Sequence, residues 1–368
     1  MACYDGGAIK QYRYIKAESI MKAAVIYGVK DVKIEEVNEP SVSKKDVKVK
    51  VSWTGICGSD LHAYHYGLGI PTEPNELTGV QAPLVLGHEF AGTVVEIGED
   101  VTDVAVGDRV AIEPLIYPDD DVYVRQGRYN LANKFAFLGV QSNGGFAEYA
   151  VMNERMVHKL PENVSLEEGA LIEPTAVALQ AVRESQLKVG QTVVVFGVGP
   201  IGLLTIISAK TAGAAEIIAV DISNERLALA KEVGATITIN SMEENPTEKI
   251  LSLHEHGVDI AYEAAGAEIT FNTALTVLKK RGQLMVIAAF GKPVSIDVTQ
   301  HLMMKEINIT ASFSYCNIFP EVIHLIASGR MDVKKVITKK IALDDLVENG
   351  LELLEKDKSH AKILIDLN

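Results

Sequence analysis

Three short stretches carry the side chains best suited to chemistry. "GICGSDLH", residues 55–62, sets Cys57 among glycines with Ser59 and His62 close behind. "LGHEFAG" puts His88 next to Glu89, and "LIEPTAVAL" puts Glu173 before Pro174 at the start of a helix. A lone cysteine is often no more than a small buried hydrophobe. Carboxylates among apolar residues are costly to bury without a partner. Together, thiolate, imidazole and carboxylate suit zinc, whose open catalytic sites use three protein ligands plus water or substrate. The three stretches are remote from one another, so the residues alone leave a zinc site and an ordinary core both open.

A second constellation is "VFGVGPIG", in which Gly197, Gly199 and Gly202 fall in G-x-G-x-x-G spacing. Glycine triplets occur by chance, but this one follows an apolar run and opens a helix-compatible stretch. Asp221 then closes the next strand, in "AVDIS", where a dinucleotide fold places its ribose-binding acid. Gly197 permits the tight turn, Gly199 lets backbone approach a pyrophosphate, and Gly202 allows helix and strand to pack closely. The helix, entered through Pro200 and Ile201, offers free N–H groups and a positive dipole end. The charge of Asp221 would repel a 2′-phosphate, so NAD(H) is expected over NADP(H). Arg226 is a candidate for the adenine face or a phosphate, or a solvated helix arginine. The competing reading is a set of packing glycines in a sheet that binds nothing.

These residues need two kinds of scaffold. From Met21 to about Glu173, short β-branched runs are broken by glycine, as in "DVKVKVSWTGICG" and "EFAGTVVEIGEDV". That pattern indicates a β-rich, barrel-like domain. From Thr192, continuous apolar strands alternate with helix-compatible runs, the mark of a parallel sheet covered on both faces. "INITASFSY" is expected as its last strand, with an exposed edge. The tail reads strand, helix, strand and is expected to return to the first domain. The expected fold is α/β: a Rossmann-type parallel-sheet domain (179–318) set into a β-rich catalytic domain (21–178, with the returning segment 319–368). Residues 1–20 are set apart as an extension with no function assigned.

Bulk composition narrows the class. The chain has 368 residues, enough for two cores, and 48% hydrophobic with 23% charged residues is ordinary for a globular protein. No apolar run approaches the ~20 residues of a membrane span. A formal charge of −14 argues against a nucleic-acid surface. Three scattered cysteines cannot build a disulfide framework and point to a reducing, cytoplasmic setting.

"GICGSDLH", "APLVLGHEFAGTVVEIGEDV", "VGDRVAIEP", "NGGFAEYAVM", "EPTAVALQAV" and "VFGVGPIGLL", in this order, resemble the zinc-dependent medium-chain dehydrogenases, whose catalytic domain is GroES-like. The likeness runs from Met21 to the C-terminus. Two stretches, "GIPTEPNELTGVQAPLVLGHEF" and "YCNIFPEVIHLIASG" leading into "VITKKIALDDLVENGLELL", further resemble the branch acting on 2,3-butanediol and acetoin. Polyol dehydrogenases share the core motifs and are the same-class alternative. A non-catalytic nucleotide-binding protein on this fold is the different-class one.

The resemblance implies that Cys57, His88 and either Glu89 or Glu173 hold a catalytic zinc, directly or through water. It places Ser59 at the reacting oxygen and His62 on a relay through the nicotinamide ribose to solvent, with Glu173 also in the catalytic set. Read on their own, Ser59 is equally a turn hydroxyl and His62 a surface histidine, with His65 near enough to compete. The substrate implied is a small secondary alcohol or ketone, and the assembly a homodimer or homotetramer paired across the sheet edge. Many relatives hold a second, structural zinc with four cysteines. Here those positions fall on Pro118, Asp121, Val124 and Ala132, so one zinc per subunit is expected. His158, His254, His256, His301, His324 and His360 read as structural or exposed.

Overall fold

A computed structural model describes residues 19–368. All but Ser19 and Ile20 of the extension assigned to residues 1–20 lie outside the described residues. The first part of the chain is antiparallel. Strands β1 (Ile20–Gly28) and β2 (Asp31–Asn38) form a hairpin that Leu84–Val85 extends to three strands. β3 (Asp46–Gly55) runs into helix α1 (Gly58–Tyr66), and β4 (Glu89–Ile97), β5 (Arg109–Ile112), β6 (Tyr149–Asn153) and β7 (Val157–Lys159) follow. Alternation along β3 sends Val47, Val49 and Val51 into one apolar cluster with Phe90 and Val110.

Helix α2 (Ile172–Glu184) leads into the parallel part. This contains β8 (Thr192–Phe196), α3 (Pro200–Thr211), β9 (Glu216–Asp221), α4 (Asn224–Val233), β10 (Ile237–Asn240), α5 (Pro246–Leu253), β11 (Val258–Glu263), α6 (Glu268–Val277), β12 (Leu278–Val286) and β13 (Asn308–Ala311). The strand order is β10-β9-β8-β11-β12-β13, with every pair parallel. Val193 and Val195 of β8 feed one core, Val194 and Phe196 the other, which is why this strand is apolar throughout. Connections leave β8 and β11 in opposite directions, opening the switch-point crevice where such sheets take ligands.

After α7 (Phe319–Ala327), β14 (Ile337–Ala342) and β15 (Lys362–Asp366), parallel to each other, return to the otherwise antiparallel sheet, whose order is β7-β5-β4-β3-β15-β14 with β6 also on β3. The edge strand expected over "INITASFSY" ends at Ala311. Ser314 and Asn317 take positive φ, which breaks the extended run, and Tyr315 turns inward to full burial. The passage between domains, placed at 178/179 from the sequence, falls inside the continuous helix α2. One apolar core spans the join, gathering Ala91, Leu179, Val195 and Phe319. Among the described residues no helix is long and apolar enough to cross a membrane.

Candidate metal centre and nucleotide cleft

Strand register brings the remote residues together. β3 and β4 are antiparallel with Gly55 opposite Glu89, so the end of one strand meets the start of the other. Cys57, just past β3, caps the N-terminus of α1, and His88 immediately precedes β4. Ligand atoms of Cys57, His88 and Glu89 all lie within 4.8 Å of one another. Ser59 Oγ, from the first turn of α1, is 3.3 Å from His88 Nε2. Glu173 sits in the first turn of α2, buried and within electrostatic reach of His88 and Glu89, but outside the 4.8 Å cluster.

Two charged residues complete the centre that motif reading did not single out. Asp60 is buried, with Oδ2 accepting the backbone N–H of Cys57 at 2.8 Å and Oδ1 lying 3.7 Å from His88 Nδ1. The Cys57-x-x-Asp60 spacing of a capping box was the available signal. Lys362, at the start of β15, is 1% exposed and donates to both oxygens of Glu89, at 2.8 and 2.5 Å, and to the carbonyl of Ile56 at 3.0 Å. No local pattern marks it, because its place depends on β15 pairing with β3.

The electrostatics follow from enclosure. Burial pushes Asp60 up to about 6 against the pull of His88, and Glu173 up to about 7 against the same histidine. For His88, burial acts downward, but the Asp60 carboxylate and Cys57 outweigh it and raise the imidazole. For Lys362, burial likewise acts downward, and Glu89, helped by Cys57 and Glu173, more than restores the charge. His88 Nδ1 and Asp60 Oδ1 are enclosed with no hydrogen-bond partner. A thiol, an imidazole and a carboxylate converging in such a setting fit a zinc ion, with Asp60 placed to orient the histidine as metal-bound imidazoles require.

The two other histidines of α1 diverge. His62 is exposed, its ring 6.4 Å from that of Tyr66. His65 is buried and faces Glu355 at 3.4 Å, so its contacts lead to the tail helix.

The glycine loop lies at the crevice. Gly197 has φ +82°, and a Cβ on Gly202 would collide with the carbonyl of Gly197, so helix α3 can meet the strand only without one. Pro200 and Ile201 open α3. A cavity of about 530 Å³ is bounded by Gly197, Gly199, Asp221, Arg226, Ala265 and Ile269. Asp221 has a structural duty as well: Oδ2 accepts from Val198 N at 2.7 Å, and Oδ1 from Ile222 N and Ser223 N at 2.8 and 3.0 Å. Arg226 is half-buried and donates to the carbonyl of His360 at 3.0 Å, an interdomain contact, so it is not a solvated helix arginine.

In the lobe over residues 118–132, Asp121 caps a short helix by accepting from Tyr123 N and Val124 N. Its second oxygen accepts from Asn133 N and Asn133 Nδ2 at 2.9 and 2.8 Å. A carboxylate thus ties the two ends of the lobe from position 121, one of the four expected above to lack a zinc-binding thiolate.

Comparison with known proteins agrees with this geometry. Residues 43–162 match the alcohol dehydrogenase GroES-like domain, and residues 200–328 match the zinc-binding dehydrogenase model. The chain belongs to the zinc-dependent alcohol dehydrogenase family of medium-chain oxidoreductases. It is 43% identical over 351 residues to a (R,R)-butanediol dehydrogenase of Bacillus subtilis, covering 95% of this chain and 100% of the relative. It is 36% identical to a sorbitol dehydrogenase of Mus musculus, covering 88% and 90%. Among solved structures, the crystal structure of 2R,3R-butanediol dehydrogenase from Bacillus subtilis superposes with a TM-score of 0.89 at 42% identity, over 95% of this chain and all of that one.

Proposed function

We propose that this enzyme interconverts 2,3-butanediol and acetoin, with NAD(H) as hydride carrier and one catalytic zinc per subunit. The observation that carries the reading is the convergence of Cys57, His88 and buried carboxylates with Ser59 Oγ at His88, in a chain 43% identical to a butanediol dehydrogenase. When bound, zinc supplies a Lewis acid and the nicotinamide supplies or takes the hydride. Cys57 and His88 would hold the ion with a carboxylate, and Asp60 fixes the imidazole. Ser59 is positioned to take the alcohol proton, and exposed His62 passes it to water. Gly197, Gly199, Pro200, Ile201 and Gly202 would hold the pyrophosphate with Arg226 beside them, and Asp221 would accept from the adenosine ribose and disfavour a 2′-phosphate.

Polyol oxidation is the second reading, favoured by the sorbitol dehydrogenase relatives. Rates with acetoin, the 2,3-butanediol stereoisomers, diacetyl, sorbitol, xylitol and threonine, with and without chelator, decide between them. Sorbitol outpacing every butanediol isomer overturns the first reading. We also propose a homodimer or homotetramer in the cytoplasm. The support is β13, which ends the parallel sheet with all four residues exposed.

A further inference from the structure

Residues 312–319 carry the chain from the end of the parallel sheet to the start of α7, with neither strand nor helix before Phe319. Ser314 and Asn317 both take positive φ on this crossover. Between them Tyr315 is fully enclosed beside Glu173, so the crossover forms one wall of the metal centre. Side-chain-bearing residues hold positive φ only where surrounding contacts dictate it. Here the contacts come from the lobe that follows β5. Asn130 Nδ2 donates to the carbonyl of Phe313 at 2.8 Å, and Asn317 Nδ2 donates to the carbonyl of Gly127 at 3.0 Å. The backbone N–H of Asn317 donates to Tyr129 Oη at 2.6 Å, and Tyr129 donates onward to Glu113 Oε1 at 2.5 Å. Burial and Glu113 both hold the Tyr129 phenol well above the ordinary tyrosine range, so it stays a donor and the chain runs one way.

Glu113 is the hub of a second arm. Its Oε2 lies 2.7 Å from His158 Nε2, on β7. The His158 ring stands 4.9 Å from that of Phe319, which in turn packs edge-on against Tyr315 at 5.2 Å. A carboxylate only 8% exposed is costly unless its oxygens are partnered. Both partners of this one lead to the crossover, one through Asn317 and the other through Phe319.

We propose that Glu113 is a positioning residue for the reaction: through Tyr129 and His158 it seats the crossover, so that Tyr315 keeps its place beside Glu173. The lobe is thereby a clamp on the active-site wall. The inference rests on the reading that a small alcohol or ketone reacts at this centre, and it assigns a controlling group outside the centre.

The test uses the full-length enzyme and the fastest substrate of the panel above. It measures KM, kcat, the dissociation constant for NADH, zinc content, and deuterium exchange in peptides spanning 312–319. Tyr129→Phe deletes one oxygen and should raise KM about tenfold, the scale of one lost hydrogen bond, with a much smaller change in kcat. Zinc content and NADH affinity should hold, and exchange over 312–319 should quicken. Glu113→Ala should cost at least as much. Adding Tyr129→Phe to it should cost nothing more, because the two act in one chain. Glu113→Gln keeps an acceptor for Tyr129 and should recover most of the loss. Should Glu113→Ala not fold, Tyr129→Phe still decides: faster exchange or a lower unfolding midpoint with KM within about twofold of wild type confines the clamp to scaffolding and overturns the proposal. Wild-type enzyme that turns over no member of the panel instead overturns the functional reading beneath it.

Discussion

Asp60 Oδ1 and His88 Nδ1 stand 3.7 Å apart, both enclosed and neither with a hydrogen-bond partner. The carboxylate is held from behind by the backbone N–H of Cys57, so it ties two metal-site residues to one anchor. Asp60→Asn should keep the shape of the helix start but weaken the grip on the imidazole. Zinc affinity is expected to fall roughly 10- to 100-fold, read by chelator competition. Unchanged affinity would show that the pair serves packing alone.

Ser59 Oγ has His88 Nε2 as its neighbour at 3.3 Å. Ser59→Ala should reduce turnover by on the order of a hundredfold, the usual scale of a lost proton-transfer group. The dissociation constant for NADH, followed by fluorescence, should hold. Equal losses in both would move Ser59 from the reaction to the scaffold.

Asp221 faces the nucleotide cavity and also pins Val198, with exposed Ile222 beside it at the rim. Asp221→Ser combined with Ile222→Arg should raise the KM for NADH about tenfold or more, one hydrogen bond or so being worth about 1.4 kcal/mol. NADPH should become a substrate. No gain with NADPH would confine Asp221 to its work on the loop.

Metal-free protein should show a distinct pH response. Burial lifts Asp60 to about 6 and Glu173 to about 7, so the native state holds protons that the unfolded chain has released. Native-state stability therefore falls as pH rises from the ordinary carboxylate range towards 7. Zinc binding expels these protons, so its apparent affinity should climb over the same interval, and it should go on climbing above it because the raised imidazole of His88 must also lose its proton to bind the ion. Urea midpoints and zinc competition across that interval check both slopes.

In the lobe, Asp121→Ala removes a helix cap and two bonds to Asn133. A lower unfolding midpoint is expected, with faster proteolysis between residues 118 and 133. The shift in unfolding midpoint should be the same with and without chelator. A chelator-dependent shift would mean that a metal shares the work.

The parallel domain was legible because two local signals coincide there: strands apolar on both faces, and glycines at positions where a Cβ would strike backbone. The metal centre was legible only as residue types. Cys57, His88, Glu89 and Glu173 each drew notice, but what joins them is register, Gly55 against Glu89, which no window of sequence contains. Lys362 was invisible for the same reason: 273 residues separate it from Glu89, and a lysine opening a strand usually faces water. Asp60 lies within the first motif, but nothing local shows that it faces the imidazole of His88 across the centre. "INITASFSY" was overextended because alternation continues past Ala311, while the turn at Ser314 depends on Tyr315 having a buried seat beside Glu173.

Helix α2 begins with Glu173 among the strands of the antiparallel sheet and ends packed along α3 of the parallel one. It is therefore a strut with a carboxylate at one end. Glu173 rides on an element that also packs into the parallel part, while Cys57, His88 and Glu89 stand together on the β3–β4 ladder. The centre thus draws its side chains from two separate mounts, a strand ladder and a helix that passes from one sheet to the other.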